Sequence, residues 1–492
     1  MAPISGFGFE TFSGMALTFS SGPNVVVTPN ESVTWVPRRK PKDGPAHVPL
    51  LLVVGDSGGH VPLPRQRVTT FSGTLVVGRK ESTQSQPGTS SLVLNDRMVS
   101  GQHLAISPST EEGTFEITDL GSTNGTVVDG EAVQSTVKLR DGSIIFVGSH
   151  VMIFRVASLT ELSAIGEELS QPLGPVATIN PTFAMLCRKL RKLAEAGQEV
   201  LLTGETGAGK EIYAHAIHKS SGRRGAFVAI NCAALPRELV ESELFGYARG
   251  AHSQAAMAKP GIIEEAEGGT LFLDEIGEMP PELQTKLLRF TQDRMLSPIG
   301  GTRPRYIDTR IVAATSRSTG LTESGSVGLR VDLAARLGAE PIRIPPLRDR
   351  IEDLGALSTY LMGDRAKPFE LSSFQSLCLY TWPGNVRELG KMVISAEALS
   401  RDAERIGFEH LPSSVANVPR LRSSPGRRKY RKPPTAEDLE ALMKRFRGNM
   451  LRVARELDRK PALVYRWARR FGLPVAEFRR KDDEAEGEEG ED

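Results

Sequence analysis

Residues 204–211 read Gly204, Glu205, Thr206, Gly207, Ala208, Gly209, Lys210, Glu211. They lie between an apolar, strand-like run at 199–203 (EVLLT) and a helical pattern. This is GxxxxGK, a spacing that lets backbone N–H groups close on phosphate oxygens while a helix N-terminus adds a favourable dipole. Lys210 is then the ammonium for the β- and γ-phosphates. A generic P-loop has Ser or Thr for the metal at the next position, where this chain has Glu211. A second apolar run, 270–273 (TLFL), ends at Asp274 and Glu275. A carboxylate at the end of such a strand can hold Mg²⁺, and its neighbour can orient an attacking water. The chemistry implied is ATP hydrolysis, with ATP and Mg²⁺ as cofactors and Asp274 as the metal-side carboxylate.

The elements that must position these groups are legible more coarsely. The chain has 492 residues, 39% apolar and 24% charged, which excludes a wholly disordered chain, a collagen-like repeat or a coiled-coil rod. Its three cysteines have no CxxC spacing, so a disulfide framework or zinc ribbon is not expected. No apolar run is long enough to span a membrane, and the N-terminus has no signal-peptide pattern. A cytoplasmic protein with no membrane partner is expected. Residues 1–47 read as a disordered arm, rich in Gly, Ser, Thr and Pro. Short β-rich runs at 50–54, 73–77, 91–94, 114–118, 143–147 and 151–156 imply a β-sandwich over 48–157. Residues 158–174 read as a helical linker, and 175–412 alternate strand-like and helical runs, as in an α/β nucleotide-binding domain. A second linker covers 413–434, a compact all-α module 435–478, and an acidic tail 479–492. Residues 421–480 hold 18 Lys/Arg against 6 Asp/Glu, whereas 481–492 hold eight acids and one Lys. A net of +12 beside a net of −7 points to a polyanion partner for the module.

The block at 268–280, GGTLFLDEIGEMP, resembles the AAA+ domain of sigma-54-dependent transcriptional activators (bacterial enhancer-binding proteins). So do GETGAGKE at 204–211, with Glu211 normal for that family, and Asn231, Cys232, Ala233, Ala234, Leu235. The runs at 283–289, 344–350 (IPPLRDR) and 382–389 (WPGNVREL) match as well. The resemblance implies an α/β AAA+ P-loop domain with a helical lid and an ATPase. It implies that Asn231 is a switch holding or releasing Glu275. Arg330 and Arg336 match the arginine fingers that reach a neighbouring subunit, so activity implies self-association in a ring, a hexamer. Arg387 matches the second sensor. Two positions depart from the family. Its GAFTGA loop, which touches sigma-54, is degenerate here: Gly250, Ala251, His252, Ser253, Gln254, Ala255. Replacing Phe by His forfeits an apolar contact of about 1.5–3 kcal/mol per engaged side chain. The first sensor ends Ala314, Thr315, Ser316 in place of AATN, and Ser has less reach than Asn.

In the sandwich, Gly78-Arg79, then Ser100 to His103, then Asp119 to Thr126 (DLGSTNGT) resemble a forkhead-associated (FHA) domain, a family that binds phosphothreonine peptides. By resemblance Arg79 and Ser100 bind the phosphate, Asn124 holds the peptide backbone and His103 braces the loop. A guanidinium fork plus a hydroxyl suits a phosphate dianion. The implied partner is a phosphothreonine protein or a Ser/Thr kinase. The C-terminal module resembles a Fis-type helix-turn-helix, with Pro461 at a first helical position and Gly472 as a cap. Tyr465, Arg466, Arg469 and Arg470 are its candidate DNA-binding residues, and such modules usually dimerise. Arg427, Arg428, Lys429, Arg431 and Lys432 add phosphate contacts.

Two functional readings follow. One is a transcriptional regulator that binds DNA, hydrolyses ATP as a ring, remodels sigma-54 RNA polymerase and answers to Ser/Thr phosphorylation. The other is a sigma-54-independent DNA-binding repressor or activator, favoured by the altered loop.

Overall fold

The computed structural model describes residues 47–56, 67–81, 88–316 (apart from 112, 235 and 252–256), 328–416 (apart from 339), 434–475 (apart from 447 and 458–460) and 478. The arm at 1–46, Leu235, the loop residues His252 to Ala255, the basic linker residues Arg427 to Lys432 and the acidic tail lie outside the described residues. The chain divides into two units, Met1–Ser424 and Pro425–Asp492.

The first unit opens with a sandwich: β1 (His47–Asp56), β2 (Val68–Thr70), β3 (Thr74–Gly78), β4 (Thr89–Val93), β5 (Leu104–Pro108), β6 (Phe115–Asp119), β7 (Thr126–Val128), β8 (Glu131–Ala132), β9 (Val137–Leu139), β10 (Ile144–Val147) and β11 (His150–Ser158). One sheet runs β2-β1-β11-β10-β7-β8 and the other β4-β3-β5-β6-β9. Each of the six runs read as β-rich is a strand. The strands not foreseen are the short β2, β7, β8 and β9, and β5, whose apolar positions are Leu104 and Ile106. Between the sheets lie Leu51, Val53, Leu75, Val77, Leu104, Ile106, Ile145 and Phe154.

The stretch expected as a linker is a packed helix. Ser158 caps α1 (Leu159–Ser170) in a capping box with Glu161. Ala164 and Ile165 of α1 join Leu50 and Leu52 of β1 and Ala184 of α2 (Pro181–Glu195) in one apolar cluster. An amphipathic helix with an apolar face on each neighbour gains more from packing than from solvation.

The α/β part follows: β12 (Val200–Thr203), α3 (Lys210–Ser220), β13 (Phe227–Asn231), α4 (Arg237–Phe245), α5 (Ile262–Glu265), β14 (Thr270–Asp274), α6 (Pro281–Asp293), a small hairpin of β15 (Met295–Leu296) and β16 (Arg305–Tyr306), β17 (Arg310–Thr315), α7 (Val331–Leu337) and β18 (Ile342–Arg343). Its sheet is parallel, in the order β13-β14-β17-β12-β18. Buried on both faces, β12, β14 and β17 read as unbroken apolar runs. The lid adds 3₁₀ turns at Leu347–Asp349 and Ile351–Asp353, then α8 (Leu354–Met362), α9 (Leu371–Leu379), α10 (Asn385–Leu399) and α11 (Ser413–Ala416).

Sandwich and lid share a core. Val54, Phe146, Val151 and Ile153 of the six-stranded sheet lie in one cluster with Leu347, Leu354, Leu357, Trp382 and Leu389 of the lid. Polar groups are buried at the same junction. Arg67, 1% exposed, donates Nε–H to the Val53 carbonyl at 3.2 Å and an Nη2–H to the Glu352 carbonyl. Arg155 of β11 pairs with the buried Glu352 carboxylate at 2.5 Å. The Asn180 amide donates to the other Glu352 oxygen at 3.3 Å. Asp353 accepts from Thr178 Oγ1 at 2.7 Å and from the Ile179 N–H at 3.1 Å. Burial pushes the Asp353 carboxyl up despite Arg67 and Arg350 beside it.

The second unit packs α12 (Ala436–Arg445), α13 (Met450–Glu456) and α14 (Pro461–Arg470) around Leu439, Met443, Met450, Val453, Ala454, Val464 and Ala468. Thr435 and Asp438 form a capping box, Gly448 and Gly472 take positive φ after α12 and α14, and Asn449 caps α13 through the Arg452 N–H at 3.2 Å. The turn Asp458, Arg459, Lys460 lies outside the described residues.

Candidate functional site

The phosphate cradle forms where β12 stops and α3 starts. Gly209 occupies the N-cap of α3 at φ +102°, a region closed to most side chains, so Lys210 opens the helix. At Gly207, φ +78°, a Cβ would come within 2.4 Å of the Gly384 carbonyl, so only glycine lets loop and lid meet there. The Lys210 ammonium donates to the Gly204 carbonyl at 2.9 Å and lies 3.9 Å from Glu275 Oε1. Burial lowers the Lys210 pKa, against the pull of Glu275 and Asp274. Burial, then the Glu275 charge beside it, raises Asp274. A buried ammonium on loop carbonyls facing two carboxylates fits a metal–triphosphate, in which Asp274 would share the metal with phosphate oxygens. Among the described residues no group of three or more His, Cys, Asp or Glu is arranged to hold a metal alone.

Asn231 ends β13 beside Asp274. Its Oδ1 accepts the Ala233 N–H at 2.9 Å, which turns Nδ2 toward Asp274 Oδ2 at 3.4 Å. Asn231 thus lies beside Asp274, and Glu275 is held by another residue. Glu275 Oε2 accepts both the N–H and the Oγ–H of Ser316, each at 2.9 Å. Cys232 is buried beside this pair and its thiol is pushed up to about 12 by burial and the Asp274 charge, so it is no nucleophile.

The lid closes the cradle from the other side. Arg348 grips the Glu205 carboxylate with both terminal nitrogens, one at 2.8 Å. Asn385 donates to Glu205 at 3.1 Å and to the Thr206 carbonyl at 3.1 Å, and accepts the Leu347 N–H at 2.8 Å. Arg348 first, then Asn385, hold Glu205 down to about 2. Arg387, exposed on α10, sends its N–H to the Gly207 carbonyl at 3.4 Å. Beside the loop, Pro175, Val176, Ile212, Tyr213, Leu357 and Val386 line an apolar cleft with Ala208 and Gly209. Sequence reasoning missed these residues because hydrophobic groups from four separate elements carry no local motif. Arg350, buried, bonds the Ala208 carbonyl at 2.8 Å and stacks over Phe183.

Glu211 is exposed on the first turn of α3. Arg330 caps α7, pairing with Asp332 at 2.8 Å, while its N–H reaches Gln284 at 2.9 Å. Arg336 donates to the Thr291 carbonyl at 3.0 Å.

In the sandwich, a Cβ at Gly78 would lie 2.1 Å from the Gly101 carbonyl, so glycine brings Arg79 against the next loop. The Arg79 N–H bonds the Ser100 carbonyl at 2.9 Å, and its side chain is exposed. Ser100 Oγ accepts the Thr123 N–H at 3.0 Å. Asn124 Nδ2 ties to the Met98 carbonyl at 2.7 Å. His103, fully buried, accepts the Ser100 N–H at Nδ1 (3.1 Å), which assigns the proton to Nε2 facing the Gly125 carbonyl at 3.1 Å. It therefore links the loop of Ser100 to that of Asn124. Burial would raise Asp119, but bonds from Ser122 and Thr126 outweigh it and the carboxyl titrates low. Thr123, quoted only as part of a motif, proves to be the residue whose backbone holds Ser100. On α14, Tyr465, Arg466, Arg469 and Arg470 are all exposed, with Val464 and Ala468 buried behind them.

Comparison with known proteins gives three family matches. A Sigma-54 interaction domain matches residues 176–343, an FHA domain 75–148 and an AAA+ ATPase lid domain 348–425. The protein named limonene hydroxylase from Geobacillus stearothermophilus is 43% identical over 255 residues, covering 50% of this chain and 47% of that one. Nitric oxide reductase transcription regulator NorR1 of Cupriavidus necator is 44% identical over 257 residues (50% and 49%). Transcriptional regulatory protein GlrR of Escherichia coli K12 is 36% identical over 316 residues, covering 62% of this chain and 69% of GlrR. The chain spans about half the length of the first two, and what their names say stays with them. The central domain is an AAA+ ATPase domain with its lid, and the sandwich is an FHA domain. Domain matches and the extent of the GlrR match agree: the chain belongs to the family of bacterial transcriptional regulators built on a sigma-54 interaction domain.

Proposed function

We propose that this protein is a cytoplasmic, DNA-binding transcriptional regulator that hydrolyses ATP in a ring, remodels sigma-54 RNA polymerase and is controlled by Ser/Thr phosphorylation through its FHA domain. The observation that carries the reading is the convergence of Lys210, Asp274 and Glu275 under a lid latched to the P-loop through Glu205. ATP with Mg²⁺ supplies the phosphoanhydride and the charge-neutralising metal. In this reading Lys210 and the loop amides at 204–211 bind phosphate oxygens, Asp274 shares the metal, and Glu275 takes the proton of the attacking water. Arg387 approaches from the lid. Arg330 and Arg336 complete the site of a neighbouring copy, which makes turnover depend on self-association. Arg79, Ser100 and Asn124 lie on linked loops, a geometry that supports capture of a phosphothreonine segment from a partner or a kinase. The exposed Tyr465, Arg466, Arg469 and Arg470, on a helix whose other face is core, support insertion in a DNA major groove, with dimerisation.

The experiment is capture of sigma-54 by the purified chain with ADP and aluminium fluoride, against the chain without nucleotide. Nucleotide-dependent capture supports remodelling. A second reading, a sigma-54-independent repressor or activator, is favoured by His252, Ser253 and Gln254. Ring assembly and ATP turnover with no capture would select it. His252→Phe with Gln254→Gly should then restore capture if the loop alone is at fault.

A further inference from the structure

We propose that the acidic tail at 482–492 docks on the arginine face of α14 and competes there with DNA. The docking stands on charge and reach, and its consequence rests on the DNA-binding reading of α14. Arg466, Arg469 and Arg470 are exposed at i, i+3 and i+4, one face of the helix, with Val464 and Ala468 buried behind them. Like charges at that spacing repel, so the face gains from an anion. Other cations of the module are already neutralised. Lys444 pairs with Glu440 at 2.7 Å, and Arg445 lies 3.7 Å from Glu456. Among the described residues, no carboxylate pairs with Arg452, Arg466, Arg469 or Arg470.

The tail fits that face in sign, charge density and reach. Residues 482–492 hold eight carboxylates in eleven positions, and the cations at 479–481 offset at most three of them. Extended, the segment presents one charge per about 4.5–5 Å, close to the one per about 3.4 Å of a single DNA strand. Its root is held on the module, where Leu473, Val475 and Phe478 pack against the cluster of Leu439, Val464 and Ala468. The fourteen residues beyond Phe478 reach at most about 50 Å. The ten residues of α14 span about 15 Å. A tether of that length keeps the carboxylates near α14 at about millimolar effective concentration. Ala485 is the one apolar side chain in the segment, so the contact is electrostatic, reversible and weakened by salt. The tail occupies the arginines as phosphates would, and DNA must displace it.

The test uses the full chain and two readouts. For docking, a spin label at Glu488→Cys should broaden the indole N–H signal of Trp467 on α14 at about 50 mM salt; the three native cysteines are buried. Raising the salt, or combining Arg466→Gln, Arg469→Gln and Arg470→Gln, should restore the signal. For competition, a chain ending at Lys481 should bind a short random-sequence duplex about five- to ten-fold more tightly at about 50 mM salt, and within about two-fold of the full chain at about 200 mM. The slope of log K against log salt should steepen, because the arginines then release counterions that the tail had already displaced. Phe478 remains in the shortened chain, so the module keeps its core. Broadening that survives the three arginine substitutions would overturn the docking. So would broadening that arises only between a spin-labelled copy and an isotope-labelled one. DNA affinity indifferent to the truncation would overturn the competition. Arg466→Ala separates the two levels of inference. If it weakens duplex binding while truncation does nothing, only the role of the tail fails. If neither change alters duplex binding, the DNA-binding reading of α14 fails and the competition with it.

Discussion

Replacing Arg67 by Met should uncouple the FHA sandwich from the ATPase lid. The guanidinium is 1% exposed and donates to two carbonyls, those of Val53 in β1 and Glu352 in the lid. A buried acceptor left without its donor costs about 1–3 kcal/mol. Arg67 also offsets the buried charges of Asp353 and Glu352, which in turn oppose the lowering of its pKa by burial. Breaking a buried ion pair by removing one partner costs about 3–5 kcal/mol. These figures describe the same loss from two sides and do not add. Arg155 stays on the Glu352 carboxylate, so the lower end applies, about 3 kcal/mol. The assay is denaturant unfolding of the full chain, followed by the emission of Trp382, buried in the cluster that sandwich and lid share, and by hydrogen exchange at the β1 and β11 amides. In the wild-type chain the lid and β1 should open together. In Arg67→Met, β1 and β11 should open first and the midpoint should fall. A destabilisation below about 0.5 kcal/mol, or separate transitions already in the wild type, would refute the reasoning and return 158–174 to the status of a tether.

Three further outcomes follow from the site geometry. Arg79→Ala should weaken binding of a phosphothreonine peptide at least about ten-fold, the loss of a charge-assisted bond, with no fall in the sandwich melting temperature, since the side chain is exposed; isothermal calorimetry with differential scanning fluorimetry checks both. Glu205→Gln should weaken ATP binding by about three- to five-fold, as expected for a partly exposed pair, measured by titration of a fluorescent analogue. The Glu205 carboxyl is held at about 2, below its ordinary 4.5, so the latch is fully formed above pH 4.5 and is lost as pH falls toward 2, which amide exchange at Asn385 would register. Arg466→Ala should cost about 1–3 kcal/mol in specific DNA binding and less in non-specific binding; equal losses in a salt-controlled gel shift would make it a phosphate contact only.

The phosphate loop and the acidic pair were legible because each is a short contiguous run whose residue types have one physical use. Glycine at 207 is forced by the Gly384 carbonyl of the lid, 2.4 Å from any Cβ; the sequence displays the glycine but not the distant carbonyl that requires it. The apolar cleft beside the loop, the Glu205 latch and the Ser316 contact were not legible. Each joins residues far apart in the chain, and nothing in Arg348 or Ser316 taken alone names its partner. One signal was present and unread. Residues 50–54 of β1 are Leu, Leu, Leu, Val, Val without alternation, and the Val151–Phe154 run in β11 is equally unbroken. A sandwich strand with one face in solvent alternates. An unbroken run means both faces are covered, here by the opposite sheet on one side and by α1, α2 and the lid on the other. That pattern foretold a docked sandwich where a tethered one was expected.

Docking changes what phosphopeptide binding can do. The sandwich reaches the nucleotide loop by short steps: the Val53 carbonyl to Arg67, Arg67 to Glu352, and, two residues before it, Arg350 to the Ala208 carbonyl in the P-loop. Contiguity is a condition for coupling, and the coupling itself needs two arrangements that both ligands bias. The lid provides a candidate, since Arg348 and Asn385 converge on one loop carboxylate, Glu205, beside the bonds of Asn385, Arg387 and Arg350 to the loop carbonyls of Thr206, Gly207 and Ala208. If ATP and a phosphopeptide prefer different or like lid positions, the factor by which the peptide changes ATP affinity must equal the factor by which ATP changes peptide affinity. Measuring both affinities in the wild-type chain and in Arg67→Met therefore tests the route twice. If the two coupling factors are equal in the wild type and vanish in Arg67→Met, the signal passes through the buried junction. If they are equal and survive, it passes elsewhere, and the junction is scaffold alone.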